Sequence, residues 1–425
     1  MNIVGRRRSD RGAVRLGLLV VVLALVVVVA LVSNRREGTG PGVGDVSLGR
    51  SSGSAEGVTD AAQQSLVEYW SAELPKVYDK EFVQLAGGFQ PKTPQSAPFS
   101  CGGQQQSYDD LRGNAFYCGG PDDDYIAWDA TDLFPRLADQ FGSIAPAVVL
   151  AHETGHAVQA RAGVKAPSVV QELQADCFAG SWTRYAETSG SDPVSLVDGA
   201  LDSAVVAILT LRDQPGTAAG GQQAHGLGFD RVNAFQTGYE QGAGRCAQFP
   251  EQGVVTTELP FRTVAESRTG GNLPYAEAVQ LLTADLNEFW TAAVPRLEPG
   301  QTFSPPAEKP SDQDLQTVHE RIGDLATGSV LSDAWAEAAQ SELGLPTTGE
   351  QAGLQRDCFT GAWIAHLAGT DLPTSQLSPG DLDEAVTQIV VSSFSEDGKR
   401  TDRGGAFDRT KSLRTGVFDG VSACK

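Results

Sequence analysis

The strongest pattern along the chain is an uncharged apolar run over residues 16–32, with arginine on both sides of it. As a helix this run spans about 26 Å, near the lower limit for crossing a bilayer. Arg6, Arg7, Arg8, Arg11 and Arg15 precede it, Arg35 and Arg36 follow it, and no Ala-x-Ala cleavage site is evident after it. These features predict an uncleaved single-pass membrane anchor, with residues 1–15 cytoplasmic and the remainder extracytoplasmic. Residues 33–57, rich in Gly and Ser and without apolar periodicity, read as a flexible tether, so folded structure is expected from Val58.

Beyond the tether the apolar spacing is mostly helical. A buried helix is expected over Ile144–Ala162, ended by Gly163, where a left-handed residue is easily accommodated. A second is expected over 168–187 with Ser168 as N-cap, a third over 192–211 with a stripe of Val197, Leu201, Val205 and Leu209, and a fourth over 229–240. Short strands are expected at 115–118 and 125–129. The expected fold class is a helix-dominated α+β architecture with a small strand element edging a cleft.

The pattern also repeats. Gln174-Ala175-Asp176-Cys177-Phe178-Ala179-Gly180-Ser181-Trp182 returns as Gln355-Arg356-Asp357-Cys358-Phe359-Thr360-Gly361-Ala362-Trp363, and the same register pairs Leu150 with Leu331, Gln159 with Gln340 and Leu201 with Leu382. Phe229-Asp230-Arg231 likewise matches Phe407-Asp408-Arg409, and Glu68-Tyr69-Trp70 matches Glu288-Phe289-Trp290. The chain reads as a domain over 58–249, a linker over 250–271 and a degenerate second copy over 272–425.

Composition changes this picture little. The 425 residues allow two or three domains, and the net charge of −21, spread without a basic stripe, argues against nucleic acid as a partner. Six cysteines in a chain expected outside the cytoplasm make disulfides the default. Equivalent cysteines should pair equivalently, which gives Cys177–Cys246 and Cys358–Cys424 and leaves Cys101 for Cys118.

The candidate chemistry lies in His152-Glu153-Thr154-Gly155-His156. On a helix the i,i+4 spacing puts His152 and His156 on one face, where two imidazoles converge on one ion while Glu153 stands beside it. Glu172 on the next helix is the expected third ligand of a single Zn2+, and Asp176, one turn on, is placed to accept the free N–H of a ligand histidine. Three protein ligands plus water is the arrangement of a catalytic zinc site, with Glu153 as general base. His225 is a candidate donor to an oxyanion, with Tyr185 and Tyr239 as alternatives. In the second copy His152, Glu153, His156 and Glu172 fall opposite Asp333, Ala334, Glu337 and Gly353, so no zinc is expected there. His319 and His366 lie outside this register and read as structural or surface residues.

These blocks together resemble the bacterial neutral zinc metallopeptidase family, a membrane-anchored zincin group. The resemblance rests on Phe116-Tyr117-Cys118, on the segments running from Leu150 to Gln159 and from Glu172 to Gly180, and on His225-Gly226 followed by Arg231 and Phe235. It implies a bacterial, membrane-anchored zincin fold, with His152, His156 and Glu172 as zinc ligands and Glu153 as catalytic residue, but supplies no well-defined substrate; the peptidase reading expects a peptide or protein. Ala157, where the family often carries a further histidine, and the degenerate second copy are departures. Two other readings share the residues: a zinc amidase acting on a cell-wall amide, and a non-catalytic envelope interaction protein with a structural zinc. The second copy is the natural surface for an envelope protein partner.

Overall fold

A computed structural model describes residues 55–120, 123–189, 194, 196, 199–212, 225–257, 259, 261–369, 377–395 and 398–425. The apolar run at 16–32, most of the tether, and Val197 of the expected stripe lie outside the described residues. Among the described residues no helix is long and apolar enough to cross a membrane. The fold is helix-dominated α+β.

Helix α1 (Ala55–Tyr78) begins three residues before the expected start of folded structure, with Glu56 in its first turn, where an acidic side chain complements the helix dipole. Five short strands follow: β1 (Gly88–Lys92), β2 (Phe99–Cys101), β3 (Gln104–Gln106) and, after the short helix α2 (Tyr108–Leu111), β4 (Ala115–Gly119) and β5 (Asp124–Asp129). β5 is central, with β1 parallel on one side and β4 antiparallel on the other, so that Ile126 lies between Phe89 and Tyr117. β2 and β3 form a separate hairpin. Only β4 and β5 were foreseen, because β1 contains Pro91 and β3 is three glutamines, neither of which shows apolar alternation.

After α3 (Leu133–Phe141) comes α4 (Ile144–Ala162), with the ends the periodicity predicts; Gly163 closes it at φ 74°. α5 (Ser168–Thr188) opens one residue differently: Pro167 is the N-cap and Ser168 the first helical residue, so the serine hydroxyl caps nothing. Instead of starting at 192, α6 (Ala200–Thr210) starts after Gly199, which sits in the left-handed region at φ 87°. α7 (Gly228–Gln241) extends the expected 229–240 by one residue at each end. α5 and α7 cross in near contact, since a Cβ on Gly180 would meet the Phe235 carbonyl oxygen at 1.9 Å and one on Gly238 would meet that of Cys177 at 1.7 Å. Glycine is required at both positions.

Short helices α8 (Ala243–Cys246), α9 (Phe249–Gln252) and α10 (Val264–Thr269) follow, the last within the expected linker. Thr263 and Glu266 cap α10 reciprocally, and Thr257 is bonded to the buried Asp230. The second half then comprises α11 (Tyr275–Leu297), α12 (Asp312–Arg321), α13 (Asp324–Glu342), α14 (Glu350–Gly369), α15 (Asp381–Ser392) and α16 (Ala406–Asp419), ending in a 3-10 turn at Val421–Cys424.

Bonds that tie α5 to α4, α1 and α8 have like counterparts that tie α14 to α13, α11 and the C-terminal turn. Gln159 Nε2 donates to the Gln171 carbonyl and to Gln174 Oε1 at 2.6 and 3.1 Å; Gln340 Nε2 donates to Ala352 and to Gln355 Oε1 at 3.0 and 2.8 Å. Gln174 reaches the Cys246 carbonyl as Gln355 reaches that of Cys424. Trp70 stands edge-on to Phe178 as Trp290 does to Phe359, each at 84°. The disulfides Cys177–Cys246 and Cys358–Cys424 form, as does Cys101–Cys118. Such bonds persist in an oxidising compartment.

The halves meet in a reciprocal contact. Asp202 on α6 accepts the Phe407 N–H at the start of α16 at 2.9 Å, and Asp383 on α15 accepts the Phe229 N–H at the start of α7, also at 2.9 Å. Apolar residues from both sides join one continuous core.

Candidate metal centre

The site is built where α4 and α5 come closest. Gly155 permits the approach, because a Cβ there would lie 2.9 Å from the Ala175 Cα. That contact sets His152 and His156, three residues before and one after Gly155, opposite Glu172 and Asp176. His152 Nε2 lies 3.2 Å from His156 Nε2 and 3.3 Å from Glu172 Oε2, and His156 Nε2 lies 3.5 Å from Glu172 Oε1.

The other ring nitrogens show which tautomers these are. His152 Nδ1 is 2.8 Å from Asp176 Oδ1, a carboxylate that only accepts, so Nδ1 carries the proton and Nε2 presents its lone pair when the ring is neutral. His156 Nδ1 is 2.9 Å from Gln159 Oε1; the orientation of this amide is fixed by Nε2, which donates to Gln171 and Gln174. Two lone pairs and a carboxylate then face one another around a point that calls for positive charge.

The electrostatics agree. Burial opposes charge on His152, yet Asp176 and Glu172 outweigh it and push the imidazole up to about 10. His156 is raised too, by Glu172 against burial, while Glu172 is held well below the usual carboxylate range because His156 and His152 override its burial. Burial pushes Glu153 up; His152 and His156 moderate this and Glu172 adds to it. Asp176 is lowered despite complete burial, with Arg231 the stronger and His152 the weaker of its charged partners.

Glu153 is 9% exposed, and its Oε2 accepts the backbone N–H of Tyr117 at 2.8 Å. Edge strand β4 is thereby tied to the residue beside the two histidines. A cavity of ≈ 690 Å³, lined by Tyr117, Gly119, Asp124, His156, Arg161 and Gln171, opens along the C-terminal part of α4. Asp176 is gripped by Arg231 through Nε at 2.7 Å and Nη2 at 2.8 Å. His225 is half-buried in the segment before α7; the adjacent Gly226 lies against Leu173 and Arg231, and His225 is outside the converging ligand group. Tyr239 bonds Glu187, and Tyr185 packs on Tyr69. His319 bonds the Leu273 carbonyl and His366 lies against Phe289.

Sequence reasoning missed two contributors. Gln159 orients His156, and its i,i+3 spacing from that histidine was the available signal. Asp129, wholly buried, accepts from Tyr108 Oη and from the N–H groups of Gly113, Thr131 and Asp132, which hold its carboxyl low against burial and fix the loops around β4 and β5. No local pattern marks a carboxylate whose donors are spread over 25 residues of chain.

A second group of carboxylates able to converge on an ion, Asp324, Asp381 and Glu384, lies at the helix starts of the second half. At the positions that the sequence register sets opposite His152 and Asp176, Asp333 takes Arg356 Nε at 2.8 Å and Arg403 Nη2 at 2.5 Å, while Asp357 is gripped by Arg409.

Among known proteins, an uncharacterized protein of Mycobacterium tuberculosis is 33% identical over 154 residues, covering 30% of this chain and 52% of that protein. The uncharacterized protein YpfJ of Escherichia coli is 29% identical over 149 residues, covering 30% of this chain and 50% of its own. The matched region thus spans about half the length of these relatives. No family model matches the chain, and no solved structure matches it.

Proposed function

We propose that the chain is a zinc-dependent peptidase whose single site lies in the first half, and that the second half is a copy of the same zincin-like domain that has lost its ligands. The observation that carries this reading is the convergence of His152, His156 and Glu172 on one point. A tetrahedral ion with bonds of about 2.05 Å has ligand–ligand edges of about 3.3 Å; the two imidazole nitrogens are 3.2 Å apart, and the Glu172 carboxylate approaches His152 through Oε2 at 3.3 Å and His156 through Oε1 at 3.5 Å. The donor set of two imidazoles and one carboxylate, with one ring fixed by a carboxylate, suits zinc and leaves a fourth position.

His152, His156 and Glu172 would hold the ion, which when bound supplies an activated water and polarises a carbonyl. The chain's own residues do the rest. Glu153, raised by burial, offers Oε1, which has no protein donor among the described residues, as the atom that takes a proton and passes it on to a leaving amine. β4 is an edge strand beside that carboxylate, and an unpaired edge accommodates an extended peptide. His225 is retained as an oxyanion donor only on its place before α7.

Tethering through residues 16–32, with the folded part outside the cytoplasm, completes the reading and is supported by the arginine distribution and by three disulfides. The test is zinc-loaded full-length chain incubated with a complex peptide library, with Glu153→Ala alongside and its zinc content verified. The reading expects cleavage by the wild type alone. Zinc in both proteins with cleavage by neither would sink the peptidase assignment and leave the amidase or the interaction protein.

A further inference from the structure

The half without ligands touches the half with them at one consequential place. Helix α7 begins at Gly228 behind Leu227, an apolar residue that cannot cap it. Its first N–H groups are instead taken by Asp383 from α15: Oδ2 accepts from Gly228 at 2.8 Å and Oδ1 from Phe229 at 2.9 Å. Arg212 Nε stands 3.6 Å from the same carboxylate, which is 3% exposed. There is no slack, because a Cβ on Gly228 would come within 2.8 Å of Leu209 and 3.2 Å of Asp383 Oδ2.

One turn further along α7 is Arg231, itself 1% exposed, which holds both oxygens of Asp176, and Asp176 Oδ1 holds His152 Nδ1. We propose that Asp383 is a positioning residue for the metal centre: by fixing the first turn of α7 it sets Arg231, and through Arg231 and Asp176 the ring of His152. The proposal rests on the zinc reading above. On this view the second half was kept as a brace that completes the first half's outer hydrogen-bond shell.

The molecule contains its own control. Asp202 makes the reciprocal contact, accepting Phe407 N–H at 2.9 Å and Arg400 Nε at 2.6 Å, and the helix it caps carries Arg409 to Asp357, behind which there are no ligands. A role limited to joining the halves treats the two aspartates alike, whereas a positioning role separates them.

The experiment compares full-length wild type, Asp383→Asn and Asp202→Asn. Zinc affinity is measured by competition with a chelator, and the visible bands of the cobalt-loaded proteins report ligand geometry. Partners outside the ligand shell contribute about 10–100-fold to metal affinity, so Asp383→Asn is expected to weaken zinc about tenfold and shift the cobalt bands. Asp202→Asn should leave both unchanged. Should Asp383→Asn fail to fold, Asp383→Ser, which keeps one acceptor, is read by the same rule. Unchanged affinity and bands in the Asp383 variant, or equal losses in both variants, overturn the proposal alone. A wild type that takes up no zinc overturns the functional reading and the proposal with it.

Discussion

At the heart of the first half two histidines and a glutamate face one another; at the equivalent place in the second half two arginines close on an aspartate. A like ion pair stands behind each, since Asp176–Arg231 and Asp357–Arg409 are both bidentate pairs with a shortest bond of 2.7 Å. The charge balance differs. The first centre holds Glu153, Glu172 and Asp176 with one guanidinium, Arg231 on Asp176, whereas in the second Asp333 and Asp357 face Arg356, Arg403 and Arg409. Gly353, opposite Glu172 in the sequence register, lies against Arg403, whose backbone is 3.1 Å from where a Cβ would be, and Glu337, opposite His156, is exposed. A buried centre short of positive charge needs a cation or protons, while one that carries its own guanidiniums needs neither.

The comparison can be broken most forcefully at the ligands. His156→Ala should lower zinc affinity by more than the roughly 100-fold that bounds effects from outside the ligand shell, measured by chelator competition. Asp333→His in the second half should add no second zinc, because Arg356 and Arg403 remain; a gain in zinc per chain would show that the centres differ less than their charges imply.

Next come the shared pairs. Removing one partner of a buried ion pair typically costs about 3–5 kcal/mol, so Asp176→Asn and Asp357→Asn should lower stability comparably in chemical denaturation, and only Asp176→Asn should also weaken zinc. The disulfides follow. Cys177–Cys246 and Cys358–Cys424 span 69 and 66 residues, and loss of either should cost about 2–5 kcal/mol. Clearly unequal losses would mean that one half is held mainly by the other.

The smallest effect separates the halves by pH. Asp324, Asp381 and Glu384 correspond in register to Ser143, Ala200 and Ser203, so the acidic group belongs to the second half alone. Burial, then Asp324 and Glu266, push Asp381 up to about 8, and Glu384 is raised by burial, Asp381 and Asp324, while His319 tempers Asp324. A carboxyl with a raised folded pKa binds its proton more tightly folded than unfolded. Its contribution is complete below the ordinary value of 3.8 and declines as pH rises toward about 8. Melting followed by a probe near Trp335 or Trp363 should therefore fall over that window, and Asp381→Asn should flatten the profile.

What was legible in the sequence was local or repeated. The ends of α4 follow from its apolar run and Gly163, and the cysteine pairing follows from the repeat register. That Glu172 meets two histidines on another helix was readable from spacing plus resemblance. What was not legible depends on contacts distant in sequence: Asp383 reaching Gly228, Asp129 gathering loop amides, and β1 pairing with β5 across 37 residues despite Pro91. The start of α6 was misplaced because the apolar stripe runs on before Gly199, where the backbone turns left-handed.

The central claim is that one zinc sits in the first half and none in the second. Zinc per chain, measured by equilibrium dialysis of metal-free protein against buffered zinc for wild type and His156→Ala, tests it most directly. The account predicts one zinc in the wild type and none in the variant under the same conditions. Two zinc ions per wild-type chain, or one retained by His156→Ala at unchanged affinity, would contradict it.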